Sequence, residues 1–283
     1  MSDARILPYI LLLPATLFLG GFFLVPFVGV AYEAITGSEG ALTMGNFQTM
    51  AQDWRFWPAL TNTLALALVI VPIQVVLALA MASLVTNMNA GRDIVLYILT
   101  IPLGISDLAA GIIWLAILEQ NGFLTTALNA FGIVSGPQIL LSYQSLPALF
   151  AAVVVAEVWR ATAIVLVILV AGMGLIPKEY YEAAEVFGAG AWKRFVRITL
   201  PLLRPSLQTA LILRTILAFE IFGVVAALAG TNLAILMGET YKWQFDFQDR
   251  KVASAYAMVI LGISIAFTLL FLWLLRDRTE ERT

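Results

Sequence analysis

The sequence predicts an all-α integral membrane protein with six transmembrane helices, and three observations carry that prediction. Of its 283 residues, 61% are hydrophobic and 12% charged, with a mean hydropathy of +0.94, whereas a soluble domain carries about 25% charged residues. So apolar a chain cannot cover a water-facing surface, which excludes a soluble globular domain and a disordered chain. Six apolar stretches, 7–33, 60–86, 94–118, 146–175, 206–230 and 252–275, reach the roughly 20 residues that a helix needs to cross hydrocarbon. Alternating segments of about 10 residues, the mark of a membrane barrel, are not seen. Helices also satisfy every backbone polar group inside lipid.

The elements follow in order. Asp3 and Arg5 precede an apolar run from Ile6 to about Ala31. A secretion signal has an apolar region of only about 7–15 residues, so this run reads as a retained anchor. Residues 34–59 hold Trp54 and Trp57, which suit a membrane interface. The second stretch ends at the short turn Asn87-Met88-Asn89-Ala90-Gly91, and the third follows directly. Pro14, Pro26, Pro72 and Pro102 fall within spans, where packed membrane helices accommodate them, often as kinks. Residues 119–145 form a polar connection with the single charge Glu119. The fourth stretch leads into 176–205, the longest charged connection. After the fifth, residues 231–251 carry Glu239, Lys242, Asp246, Asp249, Arg250 and Lys251. The whole chain, 1–283, reads as one transmembrane domain, with 176–205 as a loop within it.

Charge sets orientation and removes several chemistries. Ten basic residues (Arg5, Arg92, Lys178, Lys193, Arg194, Arg197, Arg204, Arg276, Arg278, Arg282) fall on one side of the spans, against four on the other (Arg55, Lys242, Arg250, Lys251). The excess of positive charge on the cytoplasmic side then puts both termini and the 176–205 loop in the cytoplasm. A net charge of −2 and a pI near 5.2 give no sign of nucleic-acid binding. There is no cysteine and no histidine, hence no disulfide, no thiolate site and no imidazole to ligate zinc or carry protons near neutrality.

The 176–205 loop opens like a helix. Pro177 suits a first turn, and Glu179 and Glu182 suit the positive end of the helix dipole. Gly188 and Gly190 weaken the helix and suit an ending or a bend. A short surface helix presenting Tyr181, Ala184 or Phe187 could plug a groove on a partner, with Ala183 and Ala184 permitting close approach and Glu182 pairing with an arginine. From the pattern alone, an amphipathic helix lying on lipid fits equally well.

Here the residues resemble a family. Glu182-Ala183-Ala184, Gly188-Ala189, Phe195, Ile198 and Leu200-Pro201 look like the EAA loop of ABC-importer permeases. Ala171-Gly172-Met173 with Ile176-Pro177, Glu157-Val158-Trp159-Arg160, Asn46-Phe47, Phe56-Trp57, Asn62-Thr63-Leu64, Arg214-Thr215-Ile216 and Ala253-Ser254-Ala255 extend the likeness over most of the chain. It is nearest to the carbohydrate-uptake permeases of the maltose, trehalose and glycerol-phosphate type. Phe187 stands where that family usually has Asp, Gly223 where an acid is common, and the glycine-rich turn after the fifth helix is reduced to Ala229-Gly230-Thr231-Asn232.

The resemblance implies the six-helix fold of type I ABC importer permeases in a bacterial inner membrane. It implies that Tyr181, Glu182, Ala183, Ala184, Phe187 and Gly188 dock in a cleft of a cytoplasmic ATPase. The implied partners are a second permease subunit, an ATP-binding-cassette ATPase dimer and an extracytoplasmic solute-binding protein. ATP and Mg²⁺ would belong to the partner ATPase and no cofactor to this chain, which lacks the G-x-x-x-x-G-K-[ST] phosphate loop.

Asp107, Glu157, Arg160, Arg214 and Glu220 lie within predicted spans. A charge at a helix centre costs about 2.5–3.5 kcal/mol on the insertion scale, so these side chains should face a cavity, a partner or one another. Glu157 and Arg160, three residues apart, share a helix face and can pair. In the permeases this chain resembles, solute is contacted from the helices flanking the EAA loop. Glu157, Arg160, Arg214, Phe219 and Glu220 are therefore the candidate pathway residues, with Trp159 or Phe219 able to stack on a sugar. Structural ion pairing accounts for the same charges. Two arginines also suit an anionic sugar or polyol derivative carrying phosphate or sulfonate. An ion-coupled secondary transporter stays open as an alternative, although no internal repeat is evident. An integral-membrane enzyme has no visible nucleophile and base.

Overall fold

The computed structural model describes residues 3–37, 40–136, 141 and 145–275, with 3–7 as backbone alone. Arg276, Arg278, Arg282 and the side chain of Arg5, four of the basic residues assigned to the side of the termini, lie outside the described residues. So does part of the 119–145 connection. The described residues are helical with short connections, and the one β-type pairing among them is an isolated bridge between Thr36 and Leu42. The chain divides into two compact units, Met1–Trp57 with Glu239–Leu261, and Pro58–Gly238 with Gly262–Thr283.

In the first unit, α1 (Asp3–Leu19) and α2 (Val25–Ala34) are joined by a π-helical turn, Gly20–Leu24, into one apolar run. Pro14 lies inside α1, and Pro26 sits in the first turn of α2, directly after the π turn. A short helix, α3 (Gly45–Gln52), follows. Asn46 Nδ2 donates to the carbonyls of Glu33, Ala34 and Thr36 at 3.1, 2.9 and 3.2 Å, which satisfies acceptors left over at the end of α2. Glu239, 1% exposed, accepts from Arg55 Nε at 2.7 Å and Lys242 Nζ at 3.2 Å. Asp53 accepts from Trp243 Nε1 at 3.0 Å and from the Tyr256 hydroxyl at 3.3 Å.

The second unit holds the main bundle. The long helix α4 (Phe56–Thr86) contains Pro72 without interruption. Beyond it come α5 (Arg92–Thr100), a 3₁₀ turn at Ile101–Gly104, α6 (Asp107–Leu118) and α7 (Phe123–Ala130). The third predicted span, 94–118, is therefore broken. Pro102 ends one helix, and Ser106 starts the next by accepting from the Ala109 N–H at 3.2 Å. The apolar helical run is instead Asp107–Ala130, which takes in much of the connection expected to be polar loop.

The central helix is α8 (Leu146–Gly174). In its most apolar window 56% of residues are buried, against 0% in Pro8–Ala34. Its two ends build two cores. One joins Leu149, Val153 and Ala156 to Leu66, Ile70 and Ala110 and to residues from Ile221 onward. The other joins Leu166, Leu169 and Met173 to Ala78, Ala82, Leu203 and Ala210. Gly172 permits the second: a Cβ there would lie 2.2 Å from Ser206 Oγ and 2.8 Å from Leu203 Cδ1. Threonine hydroxyls inside the helices bond back one turn, Thr86 to the Ala82 carbonyl at 2.7 Å and Thr162 to the Val158 carbonyl at 2.5 Å, so neither is left unpaired in an apolar setting.

The loop after α8 forms α9 (Lys178–Val186), α10 (Ala191–Arg194), a π turn at Phe195–Thr199 and α11 (Leu200–Leu202), which meet α12 (Arg204–Phe219) at a 68° bend. Then come α13 (Gly223–Leu228), α14 (Leu236–Phe245) and α15 (Arg250–Leu274). Among the described residues five helices are long and apolar enough to cross a membrane, and six if the bent pair counts as one span. The fifth predicted span, 206–230, is interrupted. At 16 residues, α12 covers about 24 Å, short of a full crossing, and the run resumes in α13.

Candidate functional site

Two polar regions stand out in the second unit. The first is the arm between α8 and α12. Pro177 precedes α9 with extended backbone, and Glu179 occupies the first turn. The helix stops at Gly188, whose φ of +70° favours glycine, with the N–H of Ala189 donating to the Ala184 carbonyl at 2.9 Å. Phe187 and Val186, 87% and 85% exposed, project at the tip. Glu182 and Ala183 are exposed, while Tyr181 and Ala184 are half-buried. Tyr181 is thus not simply presented outward. Its hydroxyl lies 3.1 Å from Thr199 Oγ1, tying α9 to the π turn. Glu185 and Arg194 form a second tie.

The second region is a buried charge cluster. Glu157 on α8 is fully buried, and its Oε1 accepts from Arg160 Nη2 and from Arg214 Nη2, each at 2.7 Å. Its Oε2 accepts from Arg160 Nε at 3.2 Å. Arg214 on α12 is also fully buried and donates through Nε to Gln74 Oε1 at 2.5 Å. Gln74 on α4 donates in turn to the Glu157 carbonyl at 2.9 Å. Asp107, at the start of α6, lies 3.3 Å from Arg160 Nη2 and accepts from the Gly223 N–H at 2.6 Å. Two arginines thus face two carboxylates, and the four charges cancel. This pairing is what lets them sit inside an apolar bundle.

The structure brings Glu157, Arg160 and Arg214 together and separates Phe219 and Glu220 from them in character. Phe219, 1% exposed, packs edge-on against Phe267 with centroids 5.2 Å apart, so its ring face is covered. Glu220 stands just past the end of α12, exposed, rather than inside a span. Trp159, 38% exposed, meets Trp114 edge-on at 6.1 Å. Gln74 and Thr199 are not among the residues the sequence singles out, and Asp107 is not among its candidate pathway residues. An amide in the middle of the second apolar run was the available signal for Gln74. Nothing local marks Thr199.

A sequence profile described as "Binding-protein-dependent transport system inner membrane component" matches residues 74–279. The chain is 31% identical over 234 residues to the trehalose transport system permease protein SugA of Mycobacterium tuberculosis, covering 81% of this chain and 73% of that one. It is 29% identical over 286 residues to the sulfoquinovosyl glycerol transport system permease protein SmoG of Agrobacterium fabrum, covering 97% and 92%. It is 26% identical over 289 residues to the trehalose/maltose transport system permease protein MalF of Thermococcus litoralis, covering 97% and 95%. The fold matches a chain of a bacterial ABC transporter that imports the acidic polysaccharide alginate, with a TM-score of 0.79 at 19% identity, covering 98% of both chains. A profile match over most of its length places this chain in the family of binding-protein-dependent transport system inner membrane components, as a multi-pass permease of an ABC importer.

Proposed function

We propose that this chain is one permease subunit of an ATP-driven importer of a sugar-type solute, working by alternating access. A second permease subunit, an ATPase dimer that binds ATP and Mg²⁺, and an extracytoplasmic binding protein complete the machine. The arm carries this reading. An exposed apolar tip, Val186-Phe187, on an otherwise charged segment suits the cleft of a soluble partner. Glu182, Ala183 and Ala184 line the helix behind the tip, and Gly188 turns the chain back. The ties from Tyr181 and Glu185 pass a push on α9 into the bent α10–α12 segment. The sequence has no phosphate loop, so ATP hydrolysis belongs to the partner.

The names of the trehalose and trehalose/maltose relatives support a sugar-type solute. Arg160 and Arg214 are both occupied by carboxylates. Among the described residues both arginines of the cluster thus already face carboxylates, which favours a neutral sugar over a phosphate or sulfonate derivative. Glu157, Arg214 and Phe219 act on the pathway by holding its wall. Arg160, Trp159 and Glu220 are the accessible members of the set.

Reconstitution in vesicles tests the reading. Uptake is expected only with ATP, the partner subunits and a loaded binding protein, and Phe187→Ala should lower uptake per ATP hydrolysed. Uptake by this chain alone on an ion gradient overturns it in favour of a secondary transporter.

A further inference from the structure

The fifth apolar run breaks where its own residues give little cause. Between Phe219 and Gly223 stand Glu220, Ile221 and Phe222, and no proline follows Pro205 in the chain. Phe222 takes φ −142° and ψ −57°, outside the helical region. An interruption beside an apolar core frees backbone groups that must find partners elsewhere. One freed donor, the Gly223 N–H, finds Asp107 Oδ2 at 2.6 Å.

The cluster ties both sides of the break. Before it, Arg214 is held by Glu157. After it, Gly223 is held by Asp107. Arg160 bridges the two carboxylates, at 2.7 Å from Glu157 and 3.3 Å from Asp107. The approach of α13 to α6 is too close for a side chain at either glycine that faces it. A Cβ on Gly223 would lie 2.6 Å from the Leu108 nitrogen and 2.9 Å from Asp107 Oδ2, and one on Gly111 would lie 2.6 Å from Ala227 Cβ.

We infer that Asp107 is a positioning residue that fixes the break between α12 and α13. It accepts the hydrogen bond that Gly223 would give to the Phe219 carbonyl in a continuous helix, while Arg160 holds its carboxylate in place. Without that acceptor the segment regains helical bonding and Glu220 changes its surroundings. The consequence for transport rests on the permease reading, whereas the tether itself does not.

The chain contains no cysteine, so Glu220→Cys gives a single site for maleimide labelling on this chain, read in the full complex from its own band on a denaturing gel. Asp107→Ala should change the labelling rate there about five- to tenfold, the worth of one hydrogen bond. Gly223→Ala should do the same by crowding the contact. Asp107→Asn keeps an oxygen for Gly223 and should stay within about twofold of the parent. An unchanged rate in Asp107→Ala overturns the tether, as does an Asn variant as damaged as the Ala variant. If the altered chains fail to assemble, hydrogen exchange in the parent complex decides. Slow exchange at Gly223 supports the bond, and exchange as fast as open backbone overturns it. Labelling needs no transport, so expected labelling in the Cys variant together with a parent complex, Glu220 intact, that carries no sugar sinks the permease reading and leaves the tether standing.

Discussion

Glu182 and Glu157 are both helical carboxylates in the second unit, and their surroundings are opposite. Glu182 is exposed on a short helix whose start and stop are set by Pro177 and Gly188. Glu157 is sealed in the bundle and shared by two arginines, one of them 57 residues away. The arm is built from local signals and leaves its tip uncovered. The cluster is built from distant residues and buries Glu157, Arg214 and Gln74 completely. The first arrangement suits a partner that comes and goes. The second suits a joint whose parts must stay in register.

Substitutions separate the two regions, beginning with the largest expected change in stability. Glu157→Ala strips both arginines of a buried partner and should cost about 3–5 kcal/mol, measured as loss of folded chain on thermal unfolding in detergent. Glu157→Gln, which keeps an acceptor, should cost clearly less. Gly172→Ala forces a methyl against Ser206 and Leu203 and should cost about 1–3 kcal/mol in the same assay. Tyr181→Phe removes one partly buried hydrogen bond and should cost about 0.5–1.5 kcal/mol. Its sharper readout is a lower ratio of uptake to ATP hydrolysis. Phe187→Ala should leave stability within about 0.5 kcal/mol and still weaken co-purification of the ATPase. A Phe187→Ala chain that unfolds like Glu157→Ala would erase the contrast between arm and cluster.

The arm was legible because its signals are contiguous. Proline, acidic first turn, alanines and glycine stop fall within a dozen residues, and the helix forms where they say. The pairing of Glu157 with Arg160 was legible for the same reason, since a separation of three residues on a helix is a contact. The rest of the cluster was not. Gln74 meets Arg214 across 140 residues and Asp107 meets Gly223 across 116, and no local pattern announces such partners. The third and fifth apolar runs are not continuous helices, although their apolar character is continuous. Pro102 with Ser106, and the Asp107 acceptor, break the backbone without breaking the hydropathy.

By itself, then, the sequence determined the membrane setting, the number of apolar runs, the helical arm and its family likeness. Each follows from composition or from residues close together in the chain, because hydropathy and helix capping act over a few turns. Tertiary structure alone decided which charges neutralise one another, which aromatic faces are covered and where the fifth run breaks. In an apolar interior a charge or a freed N–H is tolerated only where a partner lies within hydrogen-bond reach, and folding, not spacing, supplies that partner.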